Sequence, residues 1–236
     1  MAQQSATGPI VWHDLLTTNV SEARNFYAAF LGWTYEVEHA EDFVWKPGEA
    51  DYPLILHGGE AHGGFVALAP DQQSHWLAFV AVDNVDETAV CAEKLGGTIE
   101  RAPFDIPGVG RSAVVRDPQG AVICPFVASH DYPAPSGVFI SDKLFATDIS
   151  AAQRFYADLF AWSAPETGAL AIPEGLDIKP QWVPHIAVAD ADASIEKARS
   201  LGAQLIIAPT RKTGFGRSAI LRDSTGALFA LLQPES

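Results

Sequence analysis

Two hydrophobic periods alternate along the chain. "PIVWHDLLTT", from Pro9, reads as a strand, after which Val20, Ala23, Tyr27 and Phe30 recur at helical spacing. Asn19 is the predicted N-cap, Glu22 completes a capping-box-like pair, and Gly32 stops the helix. Short segments of strand character follow: "TYEVE", "DFVW", "LILH" and "GGFVALA". Their predicted turns are Pro47-Gly48, Gly58-Gly59 and Gly63-Gly64. The pattern then restarts. "HWLAFVAV" is a strand, and Asp83 or Asn84 caps a helix carrying Val85, Ala89, Ala92 and Leu95. "TIERAP", "GRSAVVRD" and "AVICPFV" follow, with a tight turn at Asp117-Pro118-Gln119-Gly120.

The whole pattern is then written a second time. "NVSEARNFYAAFLGW" at Asn19 returns as "DISAAQRFYADLFAW" at Asp148, 129 residues later. "GRSAVVRDPQGA" at Gly110 returns as "GRSAILRDSTGA" at Gly216, only 106 residues later. The second copy is therefore 23 residues shorter between its two units, about two short strands with their turns. A period of this size is a domain rather than a solenoid repeat. The expected organisation is a first domain over 1–128, a linker over 129–136 within "SHDYPAPSG" whose prolines hold it extended, and a shortened second domain over 137–236.

Composition narrows the function. Apolar residues are 48% of the chain, enough for two cores. The net charge is −14 with no Lys/Arg cluster, which argues against a nucleic-acid partner. Two distant cysteines, Cys91 and Cys124, suit a reducing compartment. No secretory leader and no membrane-length apolar run are read, so the expected location is cytoplasmic, with no membrane partner.

The stretches "VWHDLLTTNVSEARNFYAAFLGW", "HWLAFVAVDNVDETAVCAEKLGG" and "VGRSAVVRDPQGAVICPF", with their second copies, together resemble the vicinal oxygen chelate superfamily. That is the glyoxalase, bleomycin-resistance and extradiol-dioxygenase group. The resemblance implies an α+β fold of tandem βαβββ modules, curled into two half-barrel domains, the second one shortened. The superfamily hosts lyases, isomerases, dioxygenases and pure binding proteins, so fold alone does not assign function.

Metal-using members place His, Gln or Glu on the opening strands and Glu on a closing strand of the modules. Carried over position by position, the first half offers Trp12, Leu77 and Cys124, and the second Ser141, Val183 and Ala230. The usual divalent-metal site is therefore expected to be absent. His13 would need a one-residue slip, which reverses its face.

Alternation on the opening strand points Trp12, Asp14 and Leu16 to one face, and His75, Leu77 and Phe79 share a face on the next module's strand. Asp14 and His75 are the candidate catalytic carboxylate and imidazole. The plainer reading makes both solvated surface residues. Trp12, Trp45, Phe79 and Phe126 are candidates to line a ligand cavity, with Cys124 on the same predicted inner strand, where it also reads as an inert buried thiol. His57, like His62, lies near a Gly-Gly turn and reads as a loop residue able to close over a ligand. Arg111 suits an anionic substrate, but Arg217 repeats it within "GRSA", which favours a scaffold role. Lys143 stands where Asp14 stands in the first copy. The expected working pocket lies in 1–128, with the second pocket open on one side or filled.

Two readings stand almost level. One is a small-molecule enzyme of glyoxalase or dioxygenase type. The other is a bleomycin-resistance-type protein that binds or sequesters a small molecule without catalysis. A degenerate structural or regulatory protein ranks behind both. The two domains are expected to pack on each other, and a homodimer is left open.

Overall fold

The structure is a computed structural model and describes residues 8–43, 46–210 and 216–235. Among these, eight strands form the first sheet: β1 (Ile10–Thr17), β2 (Thr34–Phe43), β3 (Lys46–His57), β4 (Glu60–Ala67), β5 (His75–Ala81), β6 (Thr98–Ile106), β7 (Gly110–Arg116) and β8 (Val122–Ala128). Their order is β2-β3-β4-β1-β5-β8-β7-β6. The second sheet has the order β10-β9-β11-β14-β13-β12. Its strands are β9 (Phe139–Ala146), β10 (Ala169–Ala171), β11 (Gln181–Ala187), β12 (Gln204–Thr210), β13 (Arg217–Arg222) and β14 (Leu228–Gln233). The helices are α1 (Val20–Leu31), α2 (Val85–Lys94), α3 (Ile149–Phe160), the single turn α4 (Ala164–Thr167) and α5 (Ala191–Ser200). This is the mixed α+β architecture of tandem βαβββ modules. None of the described helices is long and apolar enough to cross a membrane.

The helix starts follow the local chemistry. The Asn19 side chain accepts from the Glu22 N–H at 3.1 Å and donates to the Glu22 carboxylate at 3.1 Å, so both ends of the capping pair are made. Gly32 closes α1 with φ 73°, a left-handed conformation that glycine adopts without a Cβ penalty.

The strands after α1 differ from the expectation. "TYEVE" and the start of "DFVW" belong to one strand, and "LILH" ends another, paired from Thr34 with Leu56 to Phe43 with Lys46. Pro47 lies inside β3 rather than at a turn. β4 covers only Leu54–His57 of that strand, so Pro47 sits where β3 has a single neighbour and a missing N–H costs no ladder bond on the far side. Gly63 and Gly64 are also inside a strand. A Cβ on Gly63 would fall 2.1 Å from the His13 carbonyl oxygen, and one on Gly64 would fall 2.1 Å from the Tyr52 ring. These glycines allow close approach and do not turn the chain.

The two sheets enclose the helices. One cluster joins Leu15, Tyr27, Phe30 and Trp76 of the first half to Ile186, Leu221, Phe229 and Leu231 of the second. Another joins Val80, Ala89 and Val115 to Leu144, Phe155, Tyr156 and Trp182. The helical stripe read from the sequence therefore buries against both halves. Two repeat-related bonds lock this layer. Tyr27 donates to Asp223 at 2.9 Å, and Tyr156 donates to Asp117 at 3.1 Å. Each carboxylate also accepts backbone N–H groups of its own turn, Asp117 from Gln119, Gly120 and Ala121 and Asp223 from Thr225 and Ala227. Burial raises the pKa of both acids, and these bonds oppose the rise.

Among the described residues, the shortened half lacks counterparts of β2 and β3. β10 pairs with β9 as β4 pairs with β1, parallel. Its inner face is filled instead: Leu170, Ile172, Leu176 and Ile178 pack on Phe145, Val183, Ile220 and Ala230.

Candidate active site

The inner face of the first sheet gathers Leu16, Val66, Leu77, Phe79, Val114 and Cys124, with Trp12, Tyr52, Phe104 and Phe126 packed against them. Leu15 and Trp76 face the helices. Alternation on β1 and β5 is thus as expected. In the β1–β5 register, Trp12 faces Phe79, and Asp14 faces Leu77. Phe79 in turn faces Cys124. The corresponding row in the second half is Ser141, His185 and Ala230. β11 therefore brings one imidazole where β5 brings a phenyl ring.

These rows do not fit the divalent ion of the superfamily. An indole, a phenyl and a thiol stand in one, a hydroxyl, an imidazole and a methyl in the other. The Cys124 thiol is fully buried, and burial pushes its pKa well above the usual range, so it is a poor ligand. Among the described residues no three His, Cys, Asp or Glu side chains converge.

What the inner face holds instead is a carboxylate cluster. Asp14 is 2% exposed. Its Oδ1 accepts the Tyr52 hydroxyl at 2.5 Å and the Trp12 indole N–H at 3.0 Å. The same indole N–H lies 2.9 Å from the Tyr52 oxygen, which closes a triangle. Burial raises the Asp14 pKa to about 6, against the lowering effect of these bonds, the nearby His13 and the Gly64 backbone. The Tyr52 phenol is pushed well above its ordinary range, first by burial and then by Asp14, so it stays protonated. Tyr52 reaches Asp14 because its side chain passes over β4 at Gly64, where no side chain intervenes. Gly64→Ala should displace the phenol from Asp14 and shift the Asp14 pKa while the circular dichroism spectrum stays native. An unchanged Asp14 titration in carbon-13 NMR would show that Tyr52 is not held this way.

His75 opens β5 on the same face, opposite Leu16. Its Nδ1 lies 2.9 Å from the Gln73 carbonyl oxygen, and burial lowers its pKa. Asp14 is instead bonded to Tyr52 and Trp12, so the phenol takes the place beside Asp14 that the sequence reading gave to His75. Phe126 stands edge-on to Phe79 at 6.1 Å. His57 is exposed at the end of β3, its ring 6.2 Å from that of buried His62. His62 lies in β4 rather than in a loop, on the face of Gly64 and Val66. Arg111 turns elsewhere: it holds Asp86 of α2 through two bonds of 2.8 Å and Asp105 through a third of 2.8 Å. Arg217 grips Asp192 of α5 in the same way. Trp45 lies outside the described residues.

Tyr52 and Gly64 were missed as site residues. The signal was present in the pair of glycines inside a run that otherwise reads as strand.

Comparison with known proteins gives a consistent picture. The sequence profile of the glyoxalase-like domain family matches residues 11–126. A Mycobacterium tuberculosis protein named "Putative glyoxylase CFP32" is 28% identical, over 94% of this chain and 94% of its own. The anthracycline biosynthesis protein DnrV of Streptomyces peucetius is 25% identical, over 97% of this chain and 94% of its own. Among solved structures, the 2,3-dioxygenase LapB of Pseudomonas sp. KL28 superposes with a TM-score of 0.66 at 12% identity, covering 99% of this chain and 94% of that one. At that identity the likeness is one of fold.

Proposed function

We propose, from the match of residues 11–126 to the glyoxalase-like domain family and the vicinal oxygen chelate fold of the chain, an enzyme that moves a proton on a small carbonyl compound. The observation that carries the proposal is the buried Asp14 carboxylate bonded to the Tyr52 phenol. A carboxylate with a pKa of about 6 is mostly ionised at neutral pH and is a stronger base than an ordinary one. It removes a proton from the carbon beside a carbonyl group. Negative charge then moves onto the carbonyl oxygen, where Tyr52 donates a hydrogen bond. The substrate carries a hydroxyl on the carbon that lost the proton; that hydroxyl's proton passes to the former carbonyl oxygen, Asp14 returns its own proton to the former carbonyl carbon, and the substrate leaves as its isomer. Trp12, Phe79, Phe104 and Phe126 offer a planar molecule apolar walls that exclude water. The name of the anthracycline biosynthesis relative fits a substrate of aromatic character.

A suitable probe is the hemithioacetal of phenylglyoxal and 2-mercaptoethanol, which has a flat aryl ketone and an acidic C–H beside it. Proton NMR in deuterium oxide should show protein-dependent loss of that C–H signal, faster than in buffer and absent in Tyr52→Phe. If the probe binds but exchanges no faster than in buffer, catalysis fails and the sequestering reading takes its place. If it does not bind, the substrate class is wrong.

A further inference from the structure

The missing strands of the second half leave a strand edge uncovered. β10 pairs only with Leu144, Phe145 and Ala146, so among the described residues the 139–143 stretch of β9 has a strand on one side alone. Beside this edge, between the two halves, lies a cavity of about 550 Å³. That is within the size range of small-molecule sites, roughly 300–1,000 Å³.

The cavity exists because the internal symmetry is broken there. Ile10 and Phe139 are repeat partners, as are His13 and Asp142, and Trp33 and Trp162, each pair 129 residues apart. Phe139 packs against Trp33 at 5.8 Å and Trp76 at 5.4 Å and fills one side of the axis. On the other side Trp162 meets the smaller Ile10, and space remains. α4, present only in the second half, adds Pro165 and Glu166 to the wall.

The polar groups in this wall are positioned. His13 is 5% exposed, its Nε2 lies 2.9 Å from Asp142 Oδ1, and its ring lies 4.2 Å from Phe139. The Asp142 carboxylate is thereby held between the halves. Lys143 also lines the cavity, with its Nζ against Gly168. Burial lowers the Lys143 pKa, and the Asp142 charge opposes that shift. The wall thus presents two carboxylates beside the Lys143 amine: Asp142, and Glu166, which also accepts from the Ser163 N–H, in a chain of net charge −14 that steers cations toward it.

We propose that this cavity is a second small-molecule site, distinct from the half-barrel, which takes an amphipathic amine. The apolar body lies among Ile10, Phe139 and Trp162, and the aromatic rings of Phe139 and Trp162 favour a nearby cation. The ammonium group donates to Asp142, with Glu166 at the rim. This assignment is independent of the Asp14 chemistry.

Isothermal titration with three indoles of one shape and different charge tests it: tryptamine, tryptophol and indole-3-acetate. Tryptamine should bind one per chain and most tightly. Asp142→Asn keeps a partner for His13 and should weaken tryptamine by about tenfold or more, as expected for one charge-assisted hydrogen bond. Ile10→Phe copies the filled side of the axis and should abolish binding, while Asp14→Asn should leave it unchanged. The assignment is overturned if tryptamine does not bind, or if the alcohol or the acid binds as well. It is equally overturned if Ile10→Phe binds like the parent protein, or if Asp14→Asn removes the binding.

Discussion

Asp14→Asn is expected to lower proton exchange on the carbonyl probe by about 10²- to 10⁴-fold, the usual contribution of a positioned base, and at the same time to stabilise the fold. The second effect follows from linkage. The Asp14 pKa is about 6 in the folded chain against 3.8 for the free group. Between these values the folded state binds more protons than the unfolded one, so stability falls as pH rises through this window. The cost of holding the charge is absent below the lower value and fully present above about 6. Two pKa units correspond to about 3 kcal/mol, an upper bound on what the neutral amide recovers at pH 7. Asp117 and Asp223 are raised by burial too and act in the same direction, so the comparison must be between Asp14→Asn and the parent across pH rather than on the parent alone. Denaturant melts should show the two proteins converging near pH 4 and the variant ahead at pH 7. A variant that is inactive and also less stable at pH 7 would mean the carboxylate serves the fold and not the chemistry.

Phe30→Ala should cost about 3–5 kcal/mol of unfolding free energy. The ring is 4% exposed and sits 5.6 Å from Phe26 and 6.0 Å from Phe229. Phe229 belongs to the second sheet, so the loss should appear as a weakened union of the halves as well as a weaker first half. A thermal midpoint equal to that of the parent would show that the helix layer is not the shared core described above.

Much of this fold was legible because repetition supplied what a single reading lacks. The second copy fixed the two modules per half, the caps at Asn19 and Asp148, and the strands missing from the second half. β1 alternation correctly placed Trp12, Asp14 and Leu16 on one face, since one strand with polar and apolar positions interleaved has only two ways to lie. The site was less legible. Tyr52 is 38 residues from Asp14, and its arrival depends on the register of a long hairpin that local turn signals obscured. Gly63-Gly64 looked like a turn because adjacent glycines more often permit bends than close contacts. The sharing of helices between halves was also unread, although the repeat held the clue: Tyr27 and Asp223, Tyr156 and Asp117 are the same two repeat positions, bonded crosswise.

The central claim is that the first half-barrel holds a carboxyl group tuned by burial for proton transfer. Carbon-13 NMR of the Asp14 side-chain carboxyl, assigned by its disappearance in Asp14→Asn and followed from pH 3 to 8, tests this without any knowledge of the substrate. A midpoint near 6 is predicted, moving when Tyr52→Phe removes the phenol. A midpoint at the ordinary value of about 3.8–4, indifferent to Tyr52, would contradict it.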